Sequence, residues 1–540
     1  MSNRFFSLLG SALISAVLLG CTPRGNAACD KQQLFIGDDI AVAQTTYGKV
    51  RGFILRDIYH FRGIPYGAPT GGENRFMPPQ PPQAWEGVRN ALNYGNSAPQ
   101  VVGYNREAES AAFFVDGWNY DLFSEDCLRL NVWTPGLDQQ RRPVIVWLHG
   151  GGFSSGNAIE QDGYGGENLA RYGDVVFCSV NHRLNCFGYS DFAGIGGEKY
   201  LHSGNVGMLD IVAALRWIHD NIANFGGDPG NVTVIGQSGG GSKVSIIASM
   251  PAAKGLVHKG VALSGNSVRG ADKASAEKLG AAILEEAGLK PSEIDKLQQM
   301  PWEEYYALAN RASRKLAAQT GIRAGFSPVS DGIDLPLQFF EAGNTEIPDI
   351  PMLYCTVFNE SNPNRENAEL EDITLDGVVE RLTPRYGEAT RQIVEAYNAT
   401  FPGRRPIEIW ALLTGVRTNV VRSANTKLQQ SSPVYMAWFG WQPPLFDGRM
   451  RAFHCLDICF WFHNTDLMLT HTGGGKRPRQ LSDKMASALV AFMRTGDPNC
   501  KGLPHWPQYS AENGEVMVLD DVCEVQNDPD RACRSLIEAL

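Results

Sequence analysis

Positive charge is in short supply. The 540 residues carry 48 Lys+Arg against 58 Asp+Glu, a formal net charge of −10 at pH 7. Phosphate backbones are bound by clustered Lys and Arg, so this balance argues against a nucleic-acid partner. Long apolar runs are missing as well. No segment reaches the roughly 18 uninterrupted apolar residues that an integral membrane span requires. Cysteine is sparse, 11 in 540, which rules out a small disulfide-framework architecture. Internal repeats, heptads and low-complexity tracts are absent. Glycine is abundant instead, 58 residues in scattered clusters without a three-residue period, which excludes collagen and points to many tight turns.

The N-terminus reads as an export signal over residues 1–28. Arg4 precedes an apolar run from Leu8 to Gly20 that is too short to cross a bilayer. Leu18-Leu19-Gly20-Cys21 resembles a bacterial lipobox, which would make Cys21 a lipid anchor; the small residues Ala27 and Ala28 would equally serve an ordinary signal peptidase. A periplasmic, outer-membrane lipoprotein or secreted location follows. In such a compartment Cys523 and Cys533, close together in a polar stretch, are the best disulfide candidate. Cys178 and Cys355 lie in apolar runs and read as buried thiols.

The middle of the chain alternates two periodicities. The runs 143–149 (PVIVWLH), 174–181 (DVVFCSVN), 231–235 (NVTVI), 259–264 and 351–358 are short and apolar, as strands buried on both faces are. From Met208, the residues Ile211, Val212, Leu215, Ile218 and Ile222 recur at helical spacing. A second helix is predicted over 239–250, and a third from an N-cap at Ser482 to about Arg494. This rhythm predicts an α/β fold, a mostly parallel sheet with helices on both faces. Residues 29–540 read as one domain, with helical insertions near 272–320 and 362–430.

Two glycine motifs sit where those strands end. Gly236-Gln237-Ser238-Gly239-Gly240 is a G-x-S-x-G pattern between a strand and a helix. In that context a serine is held on a strained turn with its hydroxyl above the sheet, at a helix N-terminus that favours developing negative charge. The plain alternative is a glycine-rich turn carrying an incidental serine. His149-Gly150-Gly151-Gly152-Phe153 also follows a strand, and successive glycines allow backbone N–H groups to point into a cavity. Gly151, Gly152 and Gly239 are assigned as oxyanion donors. A phosphate-binding loop is the alternative, but no Walker pattern is present: Gly473-Gly474-Gly475-Lys476 lacks the leading Gly and the following Ser/Thr.

Further motifs carry a family resemblance. They include Phe61-Arg62-Gly63-Ile64-Pro65-Tyr66, the run 124–133 (SEDCLRLNVW), 181–189 (NHRLNCFGY), 204–210 (GNVGMLD) and 224–229 (NFGGDP). From about Gly48 to the C-terminus the chain resembles the type-B carboxylesterase/lipase family, which includes cholinesterases and bacterial para-nitrobenzyl-type esterases. The resemblance implies the α/β-hydrolase fold and supplies the remaining catalytic positions. Glu360, after the 351–358 strand, takes the acid role, and His454, in Ala452-Phe453-His454-Cys455-Leu456-Asp457, the base role. Ser238, Glu360 and His454 then follow the chain order of α/β-hydrolases.

His454, Cys455, Asp457, Cys459 and His463 are all metal-ligand types, but their spacing matches no metal motif and one helix cannot aim all five at a point. Asp457 reads as a structural partner, and no cofactor is expected. Three features depart from the family. Gln237 stands where Glu is usual and Gly239 where Ala is common; Cys127 has no cysteine between itself and Cys29 to pair with; and Trp118 is one residue out of register with a cation-stacking Trp. The resulting expectation is an exported serine carboxylesterase acting on a small neutral ester through an acyl-enzyme. The same triad could serve an amidase or carbamate hydrolase, and a non-catalytic binding or adhesion relative would be the reading from another class.

Overall fold

The computed structural model describes residues 32–102, 122–321 and 325–540. Residues 1–28, with Cys21, and Trp118 lie outside the described residues. Within them, the apolar runs become strands that are buried throughout. Every residue of Arg142–Leu148, Val176–Val180, Met352–Val357 and Val434–Phe439 is buried. No alternation survives in such strands because both faces of the sheet are covered by helices.

The main sheet has twelve strands. Its central order is Val176–Val180, Arg142–Leu148, Gly227–Gln237, Lys259–Leu263, Met352–Val357, Val434–Phe439 and Glu515–Leu519, all paired in parallel. Antiparallel strands extend both margins: Arg129–Thr134, Ile58–Pro65, Phe53–Leu55 and Leu34–Phe35 on one side, Glu524–Asn527 on the other. The fold is therefore α/β-hydrolase with a mixed sheet, parallel in the middle. A separate three-stranded sheet joins Val42–Thr45, Gly48–Arg51 and Val88–Asn90.

Register brings the two glycine motifs together. Gly236 pairs with Leu148, and Gln237 pairs with Leu263. Leu263 in turn pairs with Cys355, and Val357 with Phe439. The loops after Leu148, Gln237, Leu263 and Val357 thus leave from one edge, the carboxyl ends of parallel strands, where α/β sheets place their ligands.

Buried ion pairs account for several of the polar motif residues. Arg183 donates to both carboxylate oxygens of Asp210 at 2.6 and 2.8 Å, with side chains 1% and 0% exposed, and also to the Met77 carbonyl at 2.8 Å. Arg75 grips Glu125 through two bonds of 2.7 Å. Such pairs lock one geometry because either partner left alone would be an uncompensated buried charge.

The helix expected from Met208 runs Val206–Asn221 and buries Met208, Ile211, Leu215 and Ile218. The stretch 272–320 folds as Lys273–Ala287, Ile294–Gln298 and Trp302–Thr320, and 362–430 contributes Leu375–Tyr386, Thr390–Thr400, Pro406–Thr414 and Arg417–Lys427.

Two expectations are corrected. The helix assigned to Ser482 begins earlier, at Lys476. Gly475, at φ +87°, turns the chain into it, and Pro478 is tolerated because the first turn needs no N–H there. Ser482 is instead interior, its hydroxyl donating to the Phe460 carbonyl at 3.0 Å. Cys523 and Cys533 do not form a disulfide; both are free thiols, as are the buried Cys127, Cys178 and Cys355. The residues between them are a strand, Glu524–Asn527, and the start of a helix, Arg531–Glu538, which carry the two thiols apart. Cys523 packs in the main core and contacts the Asp520 carbonyl, whereas Cys533 packs in a separate cluster with Val378, Ile393 and Ile409, against Thr400.

Candidate active site

Ser238 stands between the Gly227–Gln237 strand and the Gly239–Ile247 helix with φ 58° and ψ −123°. A non-glycine residue held there stores on the order of 1–3 kcal/mol of backbone strain, so the surroundings must impose it. They do so by backbone contact. A Cβ on Gly240 would overlap the Leu148 carbonyl, and one on Gly239 would overlap the Gly152 backbone. Across the neighbouring strand, the Ser238 N–H donates to the Leu263 carbonyl at 2.8 Å. The helix that follows directs its unsatisfied N–H groups toward this turn.

The glycine loop covers the same edge. Gly151 and Gly152 adopt φ +78° and +64°, and the Ser154 and Ser155 N–H groups donate to the Gly151 carbonyl at 3.2 and 3.1 Å. Gly151 and Gly152 are exposed and Gly239 is buried. Among the described residues, the N–H groups of these three glycines have no hydrogen-bonded acceptor.

Glu360 and His454 arrive from two loops that are bonded to each other. The Asn359 N–H donates to the Ala452 carbonyl at 3.0 Å, and Asn359 and Phe453 form a parallel bridge. Glu360 accepts the Val357 N–H at 2.9 Å through Oε1, leaving Oε2 at 2.5 Å from His454 Nδ1. The Glu360 side chain is 3% exposed and that of His454 is 24% exposed. Burial opposes charge on the imidazole, but the adjacent Cys455 and the Glu360 carboxylate outweigh it and hold His454 well above the usual histidine range.

Gln237 links the serine turn to the histidine. It is buried, and its Nε2 lies 3.3 Å from His454 Nε2 and 3.4 Å from Nδ1, while Oε1 accepts the Cys455 thiol at 3.1 Å. The structure thus brings His454, Glu360, Gln237 and Cys455 into direct contact, with Ser238 next in chain to Gln237. The Ser238 hydroxyl itself has no hydrogen bond among the described residues. Sequence reading singles out Cys455 only as a candidate metal ligand; its contact with Gln237 is visible in the structure alone, where it is a non-glycine residue at φ 80° beside His454.

Asp457 lies behind this group. It accepts the Trp461 indole N–H at 3.2 Å and is fully buried; burial first, then the charge of Glu360, raises its carboxyl to about 7. Among the described residues no group of His, Cys, Asp and Glu could hold a metal. His463 pairs with Asp483 at 2.7 Å and Cys459 faces the Leu456 carbonyl, so the five candidate ligands point apart.

Comparison with known proteins adds an independent line. Residues 39–533 match the model of the carboxylesterase family. The chain is 33% identical over 499 residues to the para-nitrobenzyl esterase of Bacillus subtilis (strain 168), covering 91% of this chain and 96% of that protein. It is 33% identical over 507 residues to the phenmedipham hydrolase of Pseudarthrobacter oxydans, covering 90% and 97%. Among solved structures, an esterase from anaerobic Clostridium hathewayi that can hydrolyse aliphatic aromatic polyesters superposes with a TM-score of 0.80 at 34% identity, covering 94% of this chain and all of that one. With the α/β-hydrolase sheet, the glycine loop and the histidine–glutamate pair in place, the chain belongs to the carboxylesterase family and is a carboxylic ester hydrolase.

Proposed function

We propose that the protein hydrolyses small neutral carboxylic esters through an acyl-enzyme on Ser238, with His454 as general base and acid and Glu360 as its orienting carboxylate. The observation that carries this reading is the 2.5 Å contact between Glu360 and His454 Nδ1, on an imidazole that also meets Gln237, the residue preceding the strained Ser238 turn. With Nδ1–H committed to Glu360, the Nε2 lone pair faces the Gln237 amide at 3.3 Å and takes the Ser238 proton when that contact gives way. The nucleophile–base hydrogen bond is loose in many unliganded hydrolases and closes on substrate. Ser238 Oγ then attacks the ester carbonyl. The carbonyl oxygen becomes an oxyanion received by the N–H groups of Gly151, Gly152 and Gly239, and His454 returns the proton to the departing alcohol. Water attacks the acyl-enzyme by the same route and releases the acid. The apolar run Leu8–Gly20 supports export of this enzyme.

Gln237 bears on substrate charge. Its contacts face His454 and Cys455, so a glutamate there would set a second carboxylate against the imidazole beside Glu360. Glutamine fills the same space without that charge. At a few ångströms and an effective dielectric of ~20, one carboxylate would contribute about 2–4 kcal/mol to a bound cation. A cationic leaving group gains no such help here.

Three outcomes are expected. Ser238→Ala should keep the fold and lower hydrolysis of a para-nitrophenyl ester by about 10⁴-fold or more, since the attacking atom is gone; activity within tenfold of the parent would remove Ser238 from the role. The acid limb of kcat/KM should lie above the ordinary histidine value of about 6.5, because the raised pKa keeps the ring protonated, and unable to accept, to higher pH; a rate unchanged between pH 8 and pH 5 would contradict this. Neutral esters should be preferred to choline esters of the same acyl group, and a higher kcat/KM for butyrylcholine than for its uncharged counterpart would overturn the assignment to Gln237.

A further inference from the structure

Behind the glycine loop lies a buried amine that the reaction above does not use. Lys243 projects from the Gly239–Ile247 helix, the one that begins at the nucleophile turn, and its side chain has no solvent exposure. Among the described residues no carboxylate lies within salt-bridge distance of it. Its Nζ donates to the backbone carbonyl of His149 at 3.0 Å and stands 5.9 Å from the centre of the Phe153 ring. Those two residues flank Gly150-Gly151-Gly152 on either side. The charged and titratable groups facing it are Glu160, His149 and His182. Glu160 is itself occupied, accepting the Tyr164 hydroxyl at 2.9 Å and the Asn157 N–H at 3.2 Å. The two histidine rings stack at 5.0 Å, with His149 Nδ1 against the Gly150 carbonyl and His182 Nδ1 against the Arg183 carbonyl.

Burying a lysine head without a paired carboxylate is costly, and a helix position facing the core is ordinarily filled by an apolar side chain. What the amine does here is fix a peptide plane. The His149 carbonyl belongs to the same planar unit as the Gly150 N–H. Glycines have no side chain to hold their own orientation, so the direction in which the following N–H groups point is set by contacts at the loop's entry. An amine donates this hydrogen bond whether charged or neutral.

From this arrangement we infer that Lys243 is a positioning residue for the oxyanion site: by holding the His149 carbonyl it ties the glycine loop to the nucleophile helix and aims the Gly151 and Gly152 N–H groups at the developing oxyanion. The inference rests on the acyl-transfer reading above. It concerns the transition state rather than ground-state binding, so the groups it orients matter most when charge has moved onto the carbonyl oxygen.

The test is Lys243→Met, which conserves length and removes the donor, with Lys243→Arg, which keeps one, and Ser238→Ala in parallel. Each is assayed with a para-nitrophenyl ester and with an aryl trifluoromethyl ketone. That ketone forms a hemiketal: a bond is made from Ser238 Oγ to the carbonyl carbon, the C=O π pair moves onto oxygen, and the serine proton passes to His454. Lys243→Met should lose about 10- to 100-fold in kcat with KM within threefold of the parent, and its ketone Ki should rise by a matching factor. Lys243→Arg should recover part of both. Should the methionine variant fail to fold, Lys243→Gln, too short to reach the carbonyl, is measured against the same expectations. An unchanged ketone Ki in the donor-less variant, or equal losses in the arginine and donor-less variants, overturns the positioning role. Activity surviving in Ser238→Ala would instead overturn the underlying acyl-transfer reading.

Discussion

The site depends on a backbone-to-backbone contact. The turn that carries Ser238 and the loop that carries Gly151 and Gly152 press together so closely that no β-carbon fits at Gly239 or Gly240. Glycine is demanded there by contact with neighbouring main chain. That contact joins the carboxyl ends of two adjacent parallel strands whose register, Gly236 against Leu148, delivers both motifs to one place. It also makes Ser238 adopt its positive φ, because the chain must leave the strand, clear the loop and enter the helix within one residue.

Electrostatics is arranged in layers around this contact. Glu360 is the carboxylate that meets the imidazole, while Asp457 behind it is pushed up to about 7 by burial and by Glu360's own charge. Burial and that charge both favour the neutral carboxyl at Asp457, which limits the negative charge stored behind the histidine. Gln237 limits it again from the other side. The surrounding framework is held by ion pairs such as Arg183–Asp210 and Arg75–Glu125.

What could be read from the sequence followed the range of the interactions. Apolar strands, the helix from Met208 and both glycine motifs are local patterns, and they stand close to where the sequence put them. Glu360 and His454 are 94 residues apart, and only the family resemblance placed them; their contact is a product of tertiary structure. The antiparallel margins of the sheet were hidden because their residues serve as motif positions as well as strands. Lys243 was illegible for another reason. A lysine in a helix reads as solvated, and nothing nearby in sequence signals that the facing surface is the His149 carbonyl. The polar stretch between Cys523 and Cys533 misled in the opposite sense, since its charges lie along an edge strand and a helix start rather than in a closed loop.

The central claim is that Ser238 is the acylated nucleophile, and covalent trapping tests it most directly. A fluorophosphonate reacts by forming a bond from the nucleophile's oxygen to phosphorus with loss of fluoride. Peptide mapping by mass spectrometry after inactivation should find one phosphonyl group per chain, on the peptide that carries Ser238, with labelling abolished by Ser238→Ala. Complete inactivation with the label on a different residue, and Ser238 unmodified, would contradict the account.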